Sequence, residues 1–92
     1  MAQVIITLKI MPESPDTDLD EIEDKVKSMI EDFSGETQTK SEIEPIAFGL
    51  KALKITFVMD ESKGSTDDLE EEIKGIKQVN SVEVVDVRRA IG

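Results

Sequence analysis

Two residue types that carry much of protein chemistry are missing from this 92-residue chain: it has no cysteine and no histidine. Without cysteine there is no disulfide framework, no thiolate metal site and no cysteine nucleophile. Without histidine there is no side chain that ordinarily titrates near neutrality, and the commonest metal ligand is lost. A Ser-His-Asp hydrolase is therefore excluded. Tryptophan and tyrosine are also absent, leaving three phenylalanines as the aromatic complement. Basic residues are few, 11 against 21 acidic ones, for a net charge of −10. Nucleic acid repels such a chain unless its bases cluster, and the acidity itself reads as a solvated surface. No run approaches the ~20 apolar residues of a membrane-spanning helix. The start, Met1-Ala2-Gln3-Val4-Ile5-Ile6-Thr7, lacks the basic region and small-residue cleavage site of a signal peptide. These absences point to a cytoplasmic protein with one domain over residues 1–92, a size that folds around a modest core without staples.

What is present has a clear rhythm. Val4–Met11 is an apolar run ended by Pro12, with Val4, Ile6, Leu8 and Ile10 as its inner row. Ile5 on the other row predicts a central rather than an edge strand. After the loop Pro12–Asp16, Leu19, Ile22, Val26, Met29, Ile30 and Phe33 recur at spacings of three and four, the stripe of an amphipathic helix. Asp18 is placed to cap it, with Glu21 three residues on as in a capping box, and Gly35 stops it. Asp16, Asp18 and Asp20 imitate the opening of a calcium loop, but Glu21 stands where glycine is required and Lys27 where glutamate is required, so no calcium site is expected. Thr37–Glu44 is polar, with Ile43 its one large apolar residue before Pro45; it predicts an edge strand.

The stretch Glu44–Asp60 changes character halfway. Leu53, Ile55, Phe57 and Met59 fall on one side of a strand, with Ala52, Lys54 and Thr56 on the other. Before them, Pro45-Ile46-Ala47-Phe48-Gly49 is loop punctuation around a large ring. Phe48 either folds back over the edge of the core or stands out to anchor a partner. After a turn at Glu61–Gly64, a short helix opens at Ser65 or Thr66, with Leu69, Ile73 and Ile76 as its stripe and Gly75 weakening its end. In the last strand, Val82–Val87, Val82 and Val84 share one face and Val85 and Val87 the other; a bulge would reconcile them. Arg88-Arg89 then forms the one adjacent pair of bases in an acidic chain.

The element order β-α-β-β-α-β, with two helices each needing one sheet face, predicts an α+β ferredoxin-like sandwich with an antiparallel sheet in the order 4-1-3-2. In that topology the Phe48 loop and the Arg88-Arg89 tail fall at opposite ends, about 20 Å apart for a strand of six or seven residues.

Three segments resemble a known family. Pro45-Ile46-Ala47-Phe48-Gly49-Leu50-Lys51-Ala52-Leu53-Lys54-Ile55 is similar to the proline, aliphatic, small, aromatic, glycine, aliphatic, lysine segment of translation elongation factor 1-beta. Thr66-Asp67-Asp68-Leu69-Glu70-Glu71-Glu72-Ile73 and Val79-Asn80-Ser81-Val82-Glu83-Val84 resemble its next two landmarks, in the same order. The length resembles that of the stand-alone archaeal-type factor. The resemblance implies the ferredoxin-like fold and a guanine-nucleotide exchange factor that promotes replacement of GDP by GTP on elongation factor 1-alpha. It implies partner-binding residues at Phe48, Gly49, Lys51, Arg88 and Arg89. Phe48 would dock on a β-barrel domain of the GTPase, and Arg89, at a position that is lysine in many members, would reach its magnesium and phosphate region. No cofactor, metal, direct nucleic-acid contact or membrane contact is implied, and no bond-making chemistry. An RNA-binding sheet of this topology would need aromatics on its open face, which the chain does not supply. The alternative is a ferredoxin-like regulatory or metabolite-binding module, since the fold does not fix function.

Overall fold

The computed structural model describes residues 3–35 and 39–90. Strand β1 is Gln3–Pro12, helix α1 Leu19–Ser34, β2 Thr39–Pro45, β3 Lys51–Asp60, helix α2 Asp67–Lys74 and β4 Val79–Ala90. Single 3-10 turns at Ala47–Gly49 and Glu61–Lys63 flank β3. Thr37, the expected start of the second strand, lies outside the described residues, as do Ile91 and Gly92. The strands form one antiparallel sheet in the order β2-β3-β1-β4, the expected 4-1-3-2 read from the other edge. This is the ferredoxin-like α+β arrangement.

The two most apolar strands are the central ones because only there can both neighbours and a helix layer cover them. Ile6, Leu8 and Ile10 of β1 and Leu53, Ile55, Phe57 and Met59 of β3 are buried against Ile22, Val26 and Ile30 of α1 and Leu69 and Ile73 of α2. Each such side chain contributes about 1.5–3 kcal/mol relative to exposure. On the opposite face, Thr7 and Thr56 share a 3.0 Å hydroxyl–hydroxyl hydrogen bond across β1 and β3. Ala52, expected in the exposed row, is fully buried. It sits opposite Glu44, and a methyl is short enough to be covered by longer side chains on the same face.

Helix α1 begins where the cap residue dictates. Asp18 has an extended backbone, and its Oδ1 accepts from Asp20 N at 3.0 Å and Glu21 N at 3.4 Å. Glu21 completes the sequence pattern of a capping box, yet its carboxylate faces Lys25 at 3.5 Å instead. Gly35 ends the helix in the left-handed region, φ 78°, with its N–H donating to Glu31 O at 2.8 Å. Only glycine adopts that conformation without cost. Helix α2 opens from Thr66 as its N-cap residue, one of the two expected starts, with Asp67 and Asp68 in its first turn. Ser65 Oγ accepts from Asp67 N at 2.9 Å, and the buried Thr66 hydroxyl donates to Glu70 Oε2 at 2.9 Å. Ile76 is buried although it lies past the helix end, so the apolar stripe outruns the helix that carries it.

The valine ambiguity in the last strand has a structural answer. Asp86 stands opposite Thr7 and Val84 opposite Leu8, so Val85 is the extra residue of a bulge. Val87, opposite Ile6, thereby shares the face of Val82 and Val84. The strand also runs further than Val87. Arg88 and Arg89, expected as a tail, are β4 residues opposite Ile5 and Val4, because the edge of β1 still offers unpaired backbone groups there.

Asp18→Ala removes both accepted hydrogen bonds at the α1 start. We expect a loss of about 1 kcal/mol, seen in a thermal melt as a midpoint lower by about 4–8 °C; an unchanged midpoint would remove the cap from the account of this helix.

Candidate functional site

The β2–β3 connection is held by two backbone bonds, Ile46 N to Leu50 O at 2.7 Å and Leu50 N to Ala47 O at 3.3 Å. Inside it, Phe48 has φ 63° and ψ 30°, and Gly49 follows at φ 77°. Phe48 is the one non-glycine residue with positive φ among the described residues. Holding a bulky L-residue there costs about 1–2 kcal/mol. Gly49 has open space where a Cβ would stand, so its requirement is the backbone angle, not room. The Phe48 side chain gives nothing back in packing, for the residue is 96% exposed. The reading in which it folds over the core edge is thus overturned. A solvated aromatic ring on a strained backbone is a local conflict of the kind found at sites of contact.

Lys51, the exposed first residue of β3, stands opposite Pro45. Beside it, Pro12, Pro15, Leu19, Ile43 and Gly49 help to line a groove of about 510 Å³. Ile43 is 46% exposed there. Nothing local to the edge strand marks Ile43 as a site residue, since the groove joins the stretch Pro12–Asp20 to residues of the β2–β3 arm that are remote from it in sequence.

At the other end of β3, Arg88 and Arg89 diverge. Neighbours on one strand point to opposite faces. Arg88, opposite Ile5, shares the open face with Asp86, and its Nε lies 3.0 Å from Asp86 Oδ2. Arg89, opposite Val4, shares the helix-side face. Its Nη2 donates to both carboxylate oxygens of Glu61, at 2.9 and 2.8 Å. Glu61 itself follows Asp60, whose Oδ1 accepts from Ser62 N at 2.8 Å. That backbone N–H, with the Ser62 hydroxyl, holds the Asp60 carboxyl below its ordinary pKa. The structure thus brings Phe48, Gly49 and Lys51 together at one end and sets Arg88 and Arg89 at the other. The nine steps of β3 amount to about 30 Å, more than expected because both strands are longer than read; the described chain is 42 Å in its longest dimension. Among the described residues no cluster of three or more acidic side chains is arranged to hold a metal ion, and no helix is long and apolar enough to cross a membrane.

The EF-1 guanine nucleotide exchange domain matches residues 5–90. The chain belongs to that family. It is 43% identical over 89 residues to elongation factor 1-beta of Methanothermobacter thermautotrophicus, covering 97% of this chain and 98% of the relative. It is 44% identical to elongation factor 1-beta of Methanosphaera stadtmanae, with the same coverage, and 44% identical to that of Methanosarcina barkeri, covering 97% and 99%. Its role is guanine nucleotide exchange in translation elongation. The matched span of this exchange domain takes in both the Phe48 loop and the two arginines.

Because the strain at Phe48 is local and its ring touches no core, Phe48→Gly should stabilise the domain by about 1 kcal/mol and Phe48→Ala should change it little. Urea denaturation of both variants checks this; a large loss in either would return the ring to the core.

Proposed function

We propose that the chain acts on elongation factor 1-alpha, gripping it at two separated places and loosening its hold on GDP. The observation that carries this reading is Phe48, 96% exposed in a left-handed backbone conformation. A side chain held there against its own preference fits an anchor whose return comes on docking, and buried aromatics dominate interface energetics. Phe48 enters an apolar pocket on a β-barrel domain of the GTPase. Gly49 supplies the second left-handed residue of the loop, and Lys51 adds an exposed cation beside it.

Arg89 is the cation directed to the magnesium and phosphate region of the nucleotide-binding domain. Arg88, on the other face of the sheet, contributes to docking. A positive group near the nucleotide's phosphates competes with the bound metal for the same oxygens. Exchange then follows from linkage. A factor that binds the nucleotide-free GTPase more tightly lowers GDP affinity by the same ratio that GDP lowers the factor's. No covalent bond is made or broken by this chain, so it is not an enzyme in its own right, and it works in the cytoplasm where its GTPase is.

The two contacts separate kinetically. In release of fluorescent GDP from elongation factor 1-alpha, Phe48→Ala should raise the half-saturating concentration by about 30-fold, the cost of losing an aromatic hot spot of ~2 kcal/mol. Arg89→Ala should lower the maximal stimulated rate while leaving that concentration near its original value. Release unaffected by the unaltered chain would overturn the proposal, and equal effects of both variants on both quantities would remove the division of labour.

A further inference from the structure

We infer that Glu61 is a positioning residue for exchange, which orients the Arg89 guanidinium before the GTPase arrives. The inference rests on the reading of Arg89 as the nucleotide-facing cation. Glu61 is not a floating side chain. Its residue opens the 3-10 turn Glu61–Lys63, whose backbone is fixed at one end by the Asp60 carboxylate on Ser62 N and at the other by Gly64 N donating to Glu61 O at 3.1 Å. Arg89 is equally fixed in its backbone, as a strand residue opposite Val4, which in turn is opposite Met59. The side-chain pair therefore spans β1, tying the end of β3 to the end of β4.

The bonding pattern matters more than the proximity. Both short contacts, 2.9 and 2.8 Å, use the same nitrogen, Nη2. Nε and Nη1 form no hydrogen bond within the described residues. One corner of the planar fork is clamped, and the remaining donors are left for an anionic oxygen outside the molecule. A guanidinium can do this because its donors diverge in a rigid plane. The side chains of Arg89 and Glu61 are 66% and 48% exposed, so the pair adds little to stability. What it does supply is order. A long cationic side chain loses rotamer freedom when it docks, and a clamp already in place removes much of that loss.

The test is a double-mutant cycle read in GDP release from elongation factor 1-alpha. Glu61→Gln should lower the maximal stimulated rate by about three- to tenfold, the equivalent of freezing one long side chain, with half-saturating concentration and melting temperature unchanged. Glu61→Asp, which keeps the charge on a shorter arm, should give an intermediate rate. In an Arg89→Ala background, Glu61→Gln should add nothing. Additive losses, a loss in affinity equal to the loss in rate, or a faster reaction would each overturn the inference. If Arg89→Ala is slow but Glu61→Gln is normal, Glu61 has no part and the reading of Arg89 stands. If Arg89→Ala itself exchanges normally, that reading fails and this one with it.

Discussion

Everything in this molecule is referred to β1. It is the strand on which β3 and β4 both register, and its inner row, Ile6, Leu8 and Ile10, is 0–4% exposed beneath the helix layer. A side-chain period of two means that a slip by one residue would turn this whole row to solvent. The register is therefore fixed by burial, and with it the position of each residue carried on the flanking strands. Phe48 stands beyond the start of β3 and Arg89 near the end of β4 because β1 holds those strands in one alignment. The two-point contact proposed for Phe48 and Arg89 would need such a rigid spacer, since any freedom between the points would weaken simultaneous engagement.

Charge is divided between the layers. Helix α1 carries six acids against two lysines, and α2 five acids against one lysine. Most of the net charge of −10 thus lies on the helices. The open sheet face is mixed: Lys54 meets Glu44 at 3.2 Å and Arg88 meets Asp86 at 3.0 Å. On α1, Lys27 and Glu23 pair at 2.8 Å; the hydrogen bond lowers the Glu23 pKa and raises that of Lys27. The acidity is thus a solvated helix surface with local neutralisation.

The two ends of the sheet that carry Phe48 and Arg89 are built in contrasting ways. At Phe48 the backbone is strained and the side chain unpartnered. At Arg89 the backbone is an ordinary strand and the side chain is held by Glu61. The proposed roles, apolar anchoring by Phe48 and ionic positioning of Arg89, place different demands on the chain. A ring gains chiefly from desolvation and needs to be presented outward, whereas a cation needs its direction set because its interaction depends on where its donors lie.

Periodicity alone determined much of this. The inner rows of β1 and β3, the stripes of both helices, the Asp18 cap and the Gly35 stop were all legible, because the residues that share a face or a cap lie within a turn or two of one another in the chain. The strand order followed from the order of elements and from two helices needing one sheet face. The oddness of Phe48 and of Arg88-Arg89 was legible too, as composition out of keeping with its surroundings. Tertiary structure alone decided that Phe48 faces solvent, that Val85 is the bulged residue, that the arginines belong to β4 and part to opposite faces, and that Glu61, 28 residues from Arg89, is its partner. Each of those depends on the residue-by-residue register of the paired strands, and that is set by contacts between residues remote in sequence, whose pairing no local pattern encodes.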